Sequence, residues 1–383
     1  MNREPQTRLR GRIVAASNSF EDGVVTFRGE RIVAVESFAS WAGAHPDISP
    51  PSFDGTVIPG LVDIHNHGGF GHRFDTTNPD EARGAAEYHL RNGSTTVLAG
   101  IVTAAPDDMV AQTAMLGELA AEGVIAGVHA EGPFLSEVRC GAQDPRYLLD
   151  PDPALIDRLL MAAAGRLRVM TLAPERPGFF EAAERLADNG VVVALGHSDA
   201  YYDEFRDALS PNGFGTLVTH LANGMPPLHH RAPGPVAASL VAAAHGDAVL
   251  ELIGDGVHLD PGFGALAFAT APGRVALITD AMQAAGLPDG EYRLGPQTVW
   301  VSGGVARVAS GSIAGGTSTL LDCLRWAVRE CGVALADAVR AATSTPAAAA
   351  GLGGVGDLSP GRYADILVLD EDMGLRRTLR RGR

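Results

Sequence analysis

The sequence predicts an α/β fold: a (β/α)8 barrel of the TIM-like kind, with a small β-sandwich domain built from both chain ends. Three observations predict it. Between about residue 57 and residue 354, an apolar run, a polar ending and an amphipathic stretch recur as a unit. The unit occurs eight times in roughly 290 residues, which suits a barrel. The two flanks are instead rich in short β-branched segments, and no GxGxxG follows the first apolar run, so an open sheet binding a dinucleotide lacks support. The implied division is 1–57 plus 355–383 for the sandwich and 58–354 for the barrel.

At the N-terminal end, Gly23-Val24-Val25-Thr26-Phe27 and Arg31-Ile32-Val33-Ala34-Val35 flank Arg28-Gly29-Glu30, a hairpin signal. The stretch 41–51 reads as loop. Barrel strands are expected to end near Asp63-Ile64-His65, Thr96-Val97-Leu98, Val128-His129-Ala130 and Met170-Thr171-Leu172. Four more end near Val193-Ala194-Leu195, Leu217-Val218-Thr219, Leu252-Ile253-Gly254 and Leu277-Ile278-Thr279. Amphipathic spacing places helices at 80–92, 107–122, 153–164, 179–189, 203–209, 235–245, 261–270 and 318–331, with a hairpin inserted at 291–307. Close to the C-terminus, the apolar run Ile366-Leu367-Val368-Leu369 is expected to pair with the N-terminal strands, since the two ends of a host domain lie close together.

Composition narrows the function. Hydrophobic residues make up 46% of the 383 and charged residues 20%, as in a globular enzyme rather than a disordered chain. A net charge of −15 argues against nucleic acid or an anionic membrane as partner. No apolar run is long enough for a membrane span, and Met1-Asn2-Arg3-Glu4-Pro5 holds no signal core, which points to the cytoplasm. Cys140, Cys323 and Cys331 show no paired framework and read as reduced thiols. All 30 basic side chains are arginines; without lysine there is no Schiff base, no P-loop lysine and no carboxylated-lysine metal bridge.

In a barrel, chemistry comes from the carboxyl ends of strands. Those ends carry His65 and His67, Glu131, His197, His220, Asp255 with His258, and Asp280. A lone histidine beside an apolar run is usually structural, and Glu131 alone in Gly127-Val128-His129-Ala130-Glu131-Gly132-Pro133-Phe134 reads equally well as a turn cap. Several strand ends each presenting imidazole or carboxylate form a donor set suited to zinc, iron, manganese or cobalt. If the segment stays extended, His65 and His67 point the same way and both reach one ion.

Longer motifs add a resemblance. Pro59-Gly60-Leu61-Val62-Asp63-Ile64-His65-Asn66-His67-Gly68, His129-Ala130-Glu131-Gly132-Pro133-Phe134, Leu195-Gly196-His197-Ser198, Thr219-His220-Leu221-Ala222-Asn223-Gly224-Met225-Pro226, Asp255-Gly256-Val257-His258 and Thr279-Asp280-Ala281 span nearly the whole chain. Together they resemble the amidohydrolase superfamily and, within it, the N-acetylglucosamine-6-phosphate deacetylase family. The resemblance implies that Glu131, His197 and His220 bind a primary divalent metal, zinc first, and that Asp280 is the acid/base. It implies that Asn223, the Gly224 backbone, Arg231 and His258 receive a phosphorylated N-acetyl amino sugar, beside Ala142 and Ile313. It also implies a homodimer in which Arg231 serves the neighbouring subunit.

Two departures stand out. His65 and His67 keep an HxH pair that some members lack, so one ion or two per subunit stay open. Gln143, in Arg139-Cys140-Gly141-Ala142-Gln143, stands where the family usually has a histidine polarising the substrate carbonyl, and an amide cannot become cationic. The expected reaction is hydrolysis of N-acetylglucosamine 6-phosphate to glucosamine 6-phosphate and acetate. The alternatives are another N-acetylated sugar phosphate, an N-acyl-amino-acid substrate, or a metal-free scaffold.

Overall fold

Eight parallel strands follow one another around a barrel in the computed structural model, which describes residues 6–209 and 213–383. They are Leu61–Asp63, Ser94–Ile101, Gly127–Glu131, Leu167–Leu172, Val192–Leu195, Gly215–Val218, Val249–Ile253 and Val275–Ile278. Backbone bonds join the first and last strands just past their ends, from Asp280 N–H to the His65 carbonyl (2.9 Å) and from His67 N–H to the Ala281 carbonyl (2.7 Å). Below them the buried Asp63 carboxylate accepts the Thr279 hydroxyl at 2.6 Å, so a side chain ties the seam.

Alternation decides what faces inward. Val62, Leu98, Val169, Ala194, Leu217 and Ala276 fill the barrel interior, while a larger cluster lies between strands and helices. Ala347 on the helix Ser344–Ala349 plugs the far end of the interior.

The helices Pro79–Arg91, Pro106–Ala121, Pro153–Ala163, Phe179–Asp188, Tyr202–Leu209, Gly234–His245, Pro261–Thr270 and Leu320–Arg329 lie at most two residues from the expected bounds. Local chemistry explains the agreement. Asn78, Asp152 and Asp260 each accept a backbone N–H of the first turn, with proline next in sequence. Thr319 and Asp322 form a reciprocal capping box. Cys331 falls just past the last of these helices, and all three cysteines are free.

Both chain ends enter one six-stranded sheet, in the order Leu375–Leu379, Ile366–Leu369, Phe53–Pro59, Gln6–Val14, Ser19–Arg28, Arg31–Ser37. It is hydrogen-bonded continuously and shares one core, in which Leu9, Ile13, Phe27 and Val57 meet Leu358, Ile366, Val368 and Leu379. Residues 1–5, whose polar start suggested no leader, lie outside the described residues.

Two expectations need correction. The stretch from Trp41 is not all loop: Phe38–Ala44 is a helix capped by Ser37, and Trp41 is buried in it. The inserted hairpin is a three-stranded sheet, Gly290–Leu294, Gln297–Ser302 and Val305–Arg307, over its own small core.

Candidate functional site

Glu131 is the last residue of the third barrel strand, whereas His65, His197, His220 and Asp280 each stand two residues beyond the end of theirs. His197 (φ 47°), His220 (φ 28°) and Asp280 (φ 47°) adopt left-handed backbone that non-glycine residues rarely take. Such a conformation costs on the order of 1–3 kcal/mol at each position and concentrates at functional sites. Here it turns three strand ends toward one point.

At that point Glu131 Oε1 lies 3.0 Å from His197 Nε2 and 2.8 Å from His220 Nε2. The His197 Nδ1–H donates to the Arg139 carbonyl at 2.7 Å, which turns Nε2 toward the carboxylate. A second group adjoins the first. Asp280 Oδ1 is 3.1 Å from His67 Nε2 and 3.6 Å from His65 Nε2, and Glu131 Oε2 is 3.3 Å and 3.7 Å from the same two nitrogens.

A cavity of about 340 Å³ opens above these residues. Every residue expected at the site lines it except His65, which is fully buried, Asp255 and Arg231. Arg231 is exposed on the loop after the sixth strand, where it donates to His230 Nε2 at 2.8 Å. Gly224 lines the cavity with φ 60°, and a Cβ there would stand 2.8 Å from His197 Nδ1, so only glycine fits. His258 is held by the Asp255 carboxylate at 2.7 Å.

Residues 56–382 match the amidohydrolase family. The chain belongs to the amidohydrolase family. It is 38% identical over 324 residues to an N-acetylgalactosamine-6-phosphate deacetylase of Escherichia coli O157:H7, covering 83% of this chain and 84% of that one. To an N-acetylglucosamine-6-phosphate deacetylase of Vibrio furnissii it is 33% identical over 369 residues, covering 95% and 90%. A mutant N-acetyl-D-glucosamine-6-phosphate deacetylase from Mycobacterium smegmatis, solved with N-acetyl-D-glucosamine-6-phosphate, superposes with a TM-score of 0.91 at 39% identity, covering 99% and 98%.

A divalent metal goes with the amidohydrolase family, and the donor set here fits one. Glu131, His197 and His220 form one buried group with metal-ligand spacing, and His65, His67 and Asp280 form another. His65 Nε2 is buried without a hydrogen-bond partner although it faces two carboxylates, an arrangement that calls for a cation between them. Both carboxylates are held in the ionised form. Burial pushes the Glu131 carboxyl up, but His65, His197 and His220 outweigh it and hold it well below the usual carboxylate range. Burial likewise opposes the Asp280 charge, yet His67 and His65 bring that carboxyl down to about 2.

Some residues of this amidohydrolase site escaped the sequence reading. Glu251, inside the seventh strand, is fully buried and bonded to His65. His129 is bonded to Thr171 and the Ile64 carbonyl rather than to the site. Arg139 lines the cavity and pairs with Asp199 at 2.7 Å. Gln143 lines it too, but its amide is engaged at both ends, with the Thr103 N–H and with Glu131. Burial pushes the Cys140 thiol up, away from the reactive thiolate form.

Proposed function

We propose that this amidohydrolase removes the acetyl group from N-acetylglucosamine 6-phosphate, giving glucosamine 6-phosphate and acetate. The convergence of Glu131, His197 and His220 beside Asp280 on the floor of one cavity carries the reading. A divalent ion held by those three ligands supplies Lewis acidity and lowers the pKa of water toward neutrality. Zinc suits the nitrogen and oxygen donors best, ahead of iron, manganese and cobalt. The His65, His67 and Asp280 group can hold a second ion.

Asp280 acts as general base and then general acid. Its Oδ1 is engaged by His67, which leaves the other oxygen to take a proton from the attacking water and return it to the leaving amine. The left-handed turn at Asp280 holds that carboxylate in place before substrate arrives. Asn223, the Gly224 backbone and His258 bind the sugar from the cavity wall, beside Ala142, Gln143 and Ile313. His258 and Arg139 supply positive charge inside an acidic protein, and Arg231 reaches the phosphate from a second subunit of a homodimer. The division into a barrel of 58–354 and an end domain of 1–57 plus 355–383 keeps these residues on one scaffold. No helix among the described residues is long and apolar enough to cross a membrane, and three free cysteines suit a reducing cytoplasm.

The galactosamine epimer is the second reading, because the 38% identical relative is named for it. Acetate release from phosphorylated and unphosphorylated gluco and galacto substrates, before and after chelation, tests both. Activity that ignores the phosphate, or survives complete metal removal, would overturn the proposal.

A further inference from the structure

Glu251 is a carboxylate in an apolar place. The seventh strand, Val249–Ile253, turns Val249 and Ile253 into the barrel core, and the period of two turns Glu251 inward with them. It is fully buried. Among the described residues its one ion-pair partner is His65, whose Nδ1 lies 2.9 Å from Oε2, and the same oxygen accepts the His220 N–H at 3.2 Å. No arginine among the described residues pairs with it. A charge so placed, with only the eighth strand between it and the first, has a cost that bare packing does not offset.

What it does is visible on the other side of the ring. An acceptor at Nδ1 fixes the tautomer of a neutral imidazole and leaves Nε2 as a lone pair. That Nε2 is the orphaned atom facing Glu131 and Asp280 at 3.7 and 3.6 Å, too far for hydrogen bonds to either. His67 has no such support, since its Nδ1 is buried without a partner.

We propose that Glu251 is a positioning residue that commits His65 as a ligand to a second divalent ion, shared with His67 and Asp280. This rests on the metal-dependent reading above but concerns only the second ion. The Glu131, His197 and His220 ion provides the internal control, because Glu251 touches that group only through the His220 backbone.

The test strips purified full-length protein with a chelator and titrates it with zinc and, separately, cobalt, reading stoichiometry and both affinities by calorimetry. Wild type should take two ions. Glu251→Met, whose thioether is at best a weak acceptor for the His65 N–H, should keep the tighter ion and lose affinity for the second by roughly 10–100-fold. Glu251→Gln retains an acceptor and should fall between them; it carries the test if the methionine variant does not fold. Two ions at wild-type affinities in these variants, or only one ion in saturated wild type, would overturn the assignment. Wild type that binds two ions yet releases no acetate would sink the deacetylase reading and leave Glu251 in its role.

Discussion

Gln143 donates its side-chain N–H to Glu131 Oε2 over 2.7 Å, while its own carbonyl oxygen accepts the Thr103 backbone N–H at 2.8 Å. The second bond settles which way the amide points, because a flipped amide would set two oxygens together and two donors together. Gln143 therefore orients the carboxylate whose other oxygen faces His197 and His220.

From this, Gln143→Met should weaken binding of the tighter ion by about 10–100-fold, as removal of outer-shell partners does. Competition with a chromogenic chelator measures it. An unchanged affinity would return Gln143 to the substrate alone.

Asp280→Asn should retain the ion at Glu131, His197 and His220 while kcat falls by at least ~10², the lower end for a positioned proton transfer. Metal content and turnover measured on one preparation separate the two effects. Near-normal turnover removes Asp280 from the acid/base role.

Arg231→Ala should raise KM for the phosphorylated sugar and leave kcat nearly unchanged. Since Arg231 stands outside its own cavity, it should act across a dimer. Mixing Arg231→Ala with Asp280→Asn subunits should then restore low-KM activity, because one site of each hybrid has both residues. No recovery on mixing argues against service in trans.

The Asp255–His258 pair gives a pH prediction. Burial opposes both charges, but their mutual contact outweighs it, holding the Asp255 carboxyl below its usual value and the His258 imidazole above. A depressed carboxylate stabilises the fold above its unfolded value of about 3.9 and loses that as pH falls through its folded value. A raised imidazole stabilises below about 6.5 and loses that as pH rises through its folded value. The pair's contribution should therefore be largest between roughly pH 4 and 6.5. Denaturant midpoints of wild type and His258→Gln across pH should diverge most in that window; parallel profiles would contradict it.

Much of this architecture is legible because short-range chemistry writes it. Caps at Asn78, Asp152, Asp260 and Thr319 mark helix starts, and histidines after apolar runs mark strand ends. The helices Leu335–Ala341 and Ser344–Ala349 went unread because neither has a side-chain cap. Glu251 stayed hidden for another reason: it lies within Val249-Leu250-Glu251-Leu252-Ile253, where strand alternation decides its face and only the closed barrel supplies His65 as partner. A lone carboxylate in an apolar strand was the available signal. Gln143 depends on Thr103, whose position nothing local announces.

The shared sheet of the two chain ends has a consequence for synthesis. On a ribosome, Leu9, Ile13, Phe27 and Val57 emerge more than 300 residues before Leu358 and Ile366 arrive to cover them. Until then the nascent chain carries an uncapped apolar face, the kind of surface that recruits chaperones or drives aggregation. A premature stop anywhere before Leu358 would leave that face bare for good, even with all eight barrel strands translated. Leu358, Ile366, Val368 and Leu379 thus complete a core begun by the first strands of the chain.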